Sequence, residues 1–138
     1  MSSSRDELSS EKALARIRRL RIIAILRWLK KQSFADRVLV VGSVAHGKPD
    51  PGDLDIVVDV QSVTTDNELW KIGSRLLYVA RLPKYYGLFD PFLLLSNGLW
   101  VRNDEATDWE KSKLCKKDLL DGAIPLLEFE EPPWLEHR

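Results

Sequence analysis

Cysteine occurs once in the 138 residues, at Cys115, which excludes an internal disulfide framework and a cysteine-based zinc finger. Net charge is also missing: 21 basic residues cancel 21 acidic ones, so the whole molecule has no field to draw it onto duplex nucleic acid or an anionic membrane. Any such binding must be local. No apolar run approaches the roughly 20 residues of a membrane span, Phe92 to Leu95 being typical of the longest. There are no internal repeats and no low-complexity tract, and the start shows no charged, apolar, small-residue cleavage pattern. Together with the single cysteine, this makes a cytoplasmic protein the expectation.

What is present is a globular composition, 44% hydrophobic and 30% charged, at a length that suits one domain and leaves no room for a second, substrate-holding one. Residues 1–10 are small and polar apart from Leu8 and a few charges, and read as a flexible lead-in. From Glu11 to Lys31 apolar residues recur at three- and four-residue spacing between Arg16, Arg18, Arg19, Arg21 and Arg27. This is a long amphipathic helix with a basic face and an unusually broad apolar side, a candidate surface for a second copy or a helical partner.

The β-branched run Arg37 to Val41 stops at Gly42 and predicts a buried strand. Gly47 to Gly52 holds two prolines and two glycines and predicts a loop. A second strand is expected over Leu54 to Val60, and Thr65 with Glu68 forms a capping box opening a helix to about Leu82. Tyr86 to Leu95, the turn Ser96-Asn97-Gly98 and Leu99 to Arg102 read as a strand and its returning partner. Short helical pieces are expected over Thr107 to Cys115 and Lys116 to Leu120, with Pro132-Pro133 ending the ordered part and residues 132–138 a tail. The sum is an α/β (α+β) domain over residues 11–131, a small mixed sheet packed with helices. Charge is uneven along it: residues 1–37 carry ten basic and four acidic groups, residues 103–138 five basic and ten acidic.

Chemistry concentrates at the junction of the first two strands. Successive side chains of a strand point to opposite faces, so Asp53 and Asp55 share one face. Two like charges side by side raise a pKa or call for a cation, and a hard divalent ion such as magnesium is held by carboxylates together with substrate phosphates. Gly42 allows phosphate oxygens close to the backbone, and the Ser43 hydroxyl and amides of a turn into a helix donate to them. A third carboxylate completes a two-metal clamp, and Asp90, set among Phe89, Phe92, Leu93 and Leu94, is the candidate.

Gly42-Ser43-Val44-Ala45-His46-Gly47 followed by Asp53-Leu54-Asp55 resembles the GSxARG and DxD signature of the minimal nucleotidyltransferases, in the polymerase β superfamily. The likeness covers residues 38–60 and extends loosely to about residue 102. It implies a nucleotidyltransferase fold in which Asp53, Asp55 and Asp90 hold two magnesium ions. A nucleoside triphosphate, with ATP the first choice, is seated by Gly42 and Ser43, and its nucleotidyl group passes to a hydroxyl of a protein, RNA or small molecule. It also implies a HEPN-type protein partner, as in toxin-antitoxin modules, and hence a rival reading as a non-catalytic, nucleotide-binding antitoxin-like module. Two departures stand out: His46 occupies the place of the arginine, and the loop to Asp53 is about one residue short, with Gly52 before the first carboxylate in place of serine.

Other residues carry blander expectations. Asp50 belongs to the proline-glycine loop, and Asp59 is a solvated or ion-paired strand-end residue on the Asp55 face. His46 is a surface loop histidine and Cys115 an inert, buried thiol. Trp100, Arg102, Asn103, Asp104 and Trp109 form an aromatic and polar cluster with core and capping roles, or an acceptor pocket.

Overall fold

A computed structural model describes residues 2–102 and 108–131, with side chains from Ser9 onward. The tail and the residues Asn103, Asp104 and Thr107 lie outside it. The first helix, α1, runs Ser2–Lys30, so the segment read as a lead-in continues the helix from Ser2. At 1.5 Å per residue it is about 43 Å long. Its buried apolar residues start only at Ile22, with Ile25, Leu26 and Leu29, while Leu14 (62% exposed), Ile17 and Leu20 stay in solvent.

Among the described residues six strands form one sheet: β1 (Val38–Val41), β2 (Leu54–Asp59), β3 (Phe89–Leu95), β4 (Gly98–Arg102), β5 (Trp109–Lys111) and β6 (Ile124–Pro125). Their spatial order is β5-β4-β3-β2-β1-β6. The β1–β2 and β3–β4 pairs are antiparallel and β2–β3 is parallel, giving the mixed sheet expected. The crossover between the parallel strands contains α3 (Asp66–Arg81), whose N-cap Thr65 accepts a hydrogen bond from the Glu68 N–H, as the capping box requires. Two short helices complete the described chain, α2 (Gly42–Ala45) and α4 (Lys116–Leu120).

Alternation along β2 divides the molecule. Leu54, Ile56 and Val58 point into a core shared with Ile22, Ile25 and Leu29 of α1 and Leu76 and Ala80 of α3. Val57 belongs to a smaller cluster on the opposite face with Val41, Phe92, Leu94 and Leu99, against which Leu119 and Leu120 of α4 pack. Pro91 is tolerated in an inner strand because the β3–β4 ladder runs only from Phe92 onward, so the missing N–H removes no rung there.

Two further expectations fail. Over the described part of the expected helical piece Thr107 to Cys115, Trp109–Lys111 is a strand that pairs with β4, Trp109 opposite Arg102. The otherwise open edge of β4 satisfies backbone groups that a single helical turn would leave without partners. Trp109 then lies against α3 so tightly that a Cβ on Gly73 would stand 2.9 Å from its Nε1. Cys115 is exposed, not buried, because it is the N-cap residue of α4, and that helix touches the sheet through Leu119 and Leu120. No helix among the described residues is long and apolar enough to cross a membrane.

Candidate metal centre

The register of three strands assembles the site. Asp55 lies opposite Val41, the last residue of β1, on one side and opposite Asp90 on the other. In-register residues of neighbouring strands share a face, so the two carboxylates adjoin, and Asp53, two residues earlier, joins them. One oxygen from each of Asp53, Asp55 and Asp90 lies within 4.8 Å of the other two, and all three residues are half-buried. The structure thus brings together all three carboxylates anticipated from the sequence. Asp59 is four residues further along β2, about 13 Å away by strand rise. Its carboxylate accepts from the backbone and side-chain nitrogens of Gln61 at 3.1 Å, as a strand-end residue does.

Gly42 and Ser43 begin α2 directly after β1. Gly42 has φ +69°, and a Cβ there would stand 2.7 Å from Asp55 Oδ2. Both facts require glycine: the left-handed backbone turns the chain into α2, and the absent side chain leaves room for the carboxylate. The Gly42-Ser43 turn and the acidic cluster are therefore immediate neighbours.

Burial and the neighbouring charge of Asp90 push the Asp55 carboxyl from the ordinary 3.8 up to about 6. Like charges held this close suit an oxygen-loving divalent cation, which relieves the repulsion by accepting ligands from each of them. The donor set of three carboxylates fits magnesium or manganese better than zinc or copper, which favour nitrogen and sulfur.

Sequence reasoning placed Arg102 in an aromatic cluster; the structure places it at this site. The antiparallel β3–β4 hairpin returns the end of β4 to the start of β3, and Arg102 Nη2 stands 3.8 Å from Asp90 Oδ1. Its side chain is only 8% exposed, and its guanidinium lies 5.8 Å from the centre of the Tyr86 ring. Nε and Nη1 are buried with no hydrogen-bond partner. Pairing outward from the Asn97-Gly98 turn puts Arg102 opposite Pro91, on the face away from Asp90, so only the folded chain shows that its guanidinium reaches that carboxylate.

The other aromatic residues go elsewhere. Trp100 donates to Asn97 Oδ1 and, with Trp109, Trp70 and Tyr78, lines a groove of about 610 Å³ along α3. Trp100 pairs with Leu93 and so faces the α3 side, away from Asp55 and Asp90. Asp50 is tied to α1 by Arg18 at 2.9 Å. The His46 ring packs against Gly122, where a Cβ would stand 2.7 Å from Cε1. Comparison of the chain with protein-family models, with characterised proteins and with solved structures gives no match.

Proposed function

We propose that the protein is a nucleotidyltransferase of the minimal, polymerase β type, acting in the cytoplasm on magnesium-bound nucleoside triphosphate, with ATP the first to be tried. The observation that carries this is the meeting of Asp53, Asp55 and Asp90 beside the Gly42-Ser43 turn, carboxylates on one side of a backbone glycine that faces them. In this reading Asp53 and Asp55 would hold the cation carried by the triphosphate, Gly42 and Ser43 would seat the phosphates, and Asp90 would lie on the side of the acceptor hydroxyl. Bound magnesium neutralises phosphate charge and lowers the pKa of that hydroxyl. The hydroxyl gives up its proton to the Asp90 carboxylate, its oxygen bonds to the α-phosphorus, the α–β phosphoanhydride breaks, and pyrophosphate leaves with its electron pair. The chain's own part is alignment of the two reactants in a fixed electrostatic frame. The acceptor is a protein, an RNA or a small molecule.

One observation favours a second reading, a non-catalytic antitoxin-like module that binds nucleotide and a HEPN-type partner. His46, at the place of the family's arginine, rests against Gly122 and leaves the triphosphate one basic contact short. Leu14, Ile17 and Leu20, exposed on the projecting half of α1, support association with such a partner or with a second copy. Incubation with α-labelled ATP, GTP, CTP and UTP, magnesium and a cell lysate separates the two. Label transferred by the wild type and lost in Asp53→Asn supports the transferase. Magnesium-dependent nucleotide binding without transfer supports the module. Absence of both overturns the site.

A further inference from the structure

A guanidinium that is nine-tenths buried, with Nε and Nη1 lacking acceptors, is an expensive feature of any fold. Among the described residues it pairs with Asp90, and the 3.8 Å separation is an ion pair too long to be a hydrogen bond. Lys48, Arg18 and Arg19, the other cations near the loop, are on the β1–β2 side, Arg18 and Arg19 turned to Asp50. Arg102 thus faces the third carboxylate of a cluster whose geometry suits a divalent ion, and both cations cannot enjoy that carboxylate in full.

We propose that Arg102 is a positioning residue, a resident counter-ion that competes with the divalent cation for Asp90. This rests on the reading of Asp53, Asp55 and Asp90 as a cation site. Its consequence is an order of loading: Asp53 and Asp55, which make no salt bridge among the described residues, engage the ion first. Asp90 joins when Arg102 yields, and the triphosphate, by adding negative charge, offers the guanidinium another anion. The cost of keeping an under-satisfied arginine in the fold is then explained by control of when the site closes around metal. Tyr86, under the guanidinium at 5.8 Å, gives the cation a face to rest on throughout.

The test is titration of the full chain with Mn²⁺ alone, followed by the paramagnetic resonance of the free ion. Variants are Arg102→Met, Arg102→Gln, Arg102→Lys, Asp90→Asn and the double variant Asp90→Asn with Arg102→Met. Removing the charge is expected to tighten Mn²⁺ binding about tenfold, with Lys holding the wild-type value within about twofold. In the Asp90→Asn background Arg102→Met is expected to change nothing, because the competition acts through that carboxylate. A merely structural arginine would weaken binding when lost, not strengthen it. Should the Met variant fail to fold, the Gln variant reads the same charge removal. Unchanged or weaker binding in the folded neutral variants overturns the inference while leaving the cation site standing. Tightening that persists in the Asp90→Asn background overturns it too, as a diffuse field effect. Failure of the wild type to bind Mn²⁺ at millimolar concentration overturns the cation site itself, and the inference with it.

Discussion

The two faces of the sheet are built from the same strands and do opposite things. On one, Leu54, Ile56 and Val58 alternate inward beneath α1 and α3 and meet a continuous apolar core. On the other, Asp53 and Asp55 alternate outward beside Asp90, over a cluster of five buried residues covered in part by α4, and the Arg102 guanidinium reaches Asp90 from the end of β4. A strand one residue out of register would exchange these roles. The covered face carries the burial that holds the fold, and the open face keeps charges together that a stability optimum would disperse.

That contrast is testable. On the covered face Ile56, which has no solvent exposure, should lose about 2–5 kcal/mol on Ile56→Ala, through lost transfer energy and the cavity left under α1. Urea denaturation at constant slope reads it, and a loss below 1 kcal/mol would show that α1 and α3 do not form the principal core. On the open face Asp90→Asn should keep much of the nucleotide affinity and cost transfer on the order of a hundredfold, about 2.7 kcal/mol, whereas Asp53→Asn damages both. Full transfer by Asp90→Asn would make Asp90 structural.

The sharpest version of the contrast is a carboxylate that weakens the fold. Asp55 titrates at about 6 in the folded chain against an ordinary 3.8. The folded state holds its proton more firmly, so this contribution to stability is complete below about pH 3.8 and disappears as pH rises through about 6. Without metal, Asp55→Asn should therefore be more stable than wild type at pH 7 by about 1–2 kcal/mol, less than a two-unit shift implies because the group is only partly buried. The difference should vanish towards pH 4, and magnesium should narrow it by stabilising wild type alone. A variant no more stable than wild type at pH 7 would remove the charge conflict on which the contrast rests. The smallest effect belongs to neither face: Thr65→Ala removes the cap of α3 and should cost about 1 kcal/mol in thermal unfolding.

Much of this was readable along the chain because its causes are local. Alternation in a strand puts Asp53 and Asp55 on one face whatever surrounds them, and Thr65 caps α3 through a contact three residues long. The break at Gly42 and the proline-glycine loop follow from backbone preferences of single residues. Where the reading failed, the deciding partner was distant. Trp109 to Lys111 became a strand because the edge of β4 was open, and Cys115 became exposed because α4 leans on the sheet by Leu119 and Leu120 alone. The lead-in proved helical although nothing in its composition repays ordering on its own; it continues a helix nucleated further along, and propagation is easier than nucleation.

Residue types and their short spacings therefore determined, without help, the paired carboxylates, the glycine-serine turn and the alternation of a mixed sheet. Tertiary structure decided three further things. The parallel register set Asp90 opposite Asp55 rather than one residue aside on the wrong face. The approach of β2 left no space beyond hydrogen at Gly42. The return of β4 brought Arg102 to Asp90. The physical reason is the same in each case: the direction of a side chain from its own backbone is set by covalent geometry, but which other side chain it meets is set by pairing between strands, and that pairing is fixed only when the whole core closes.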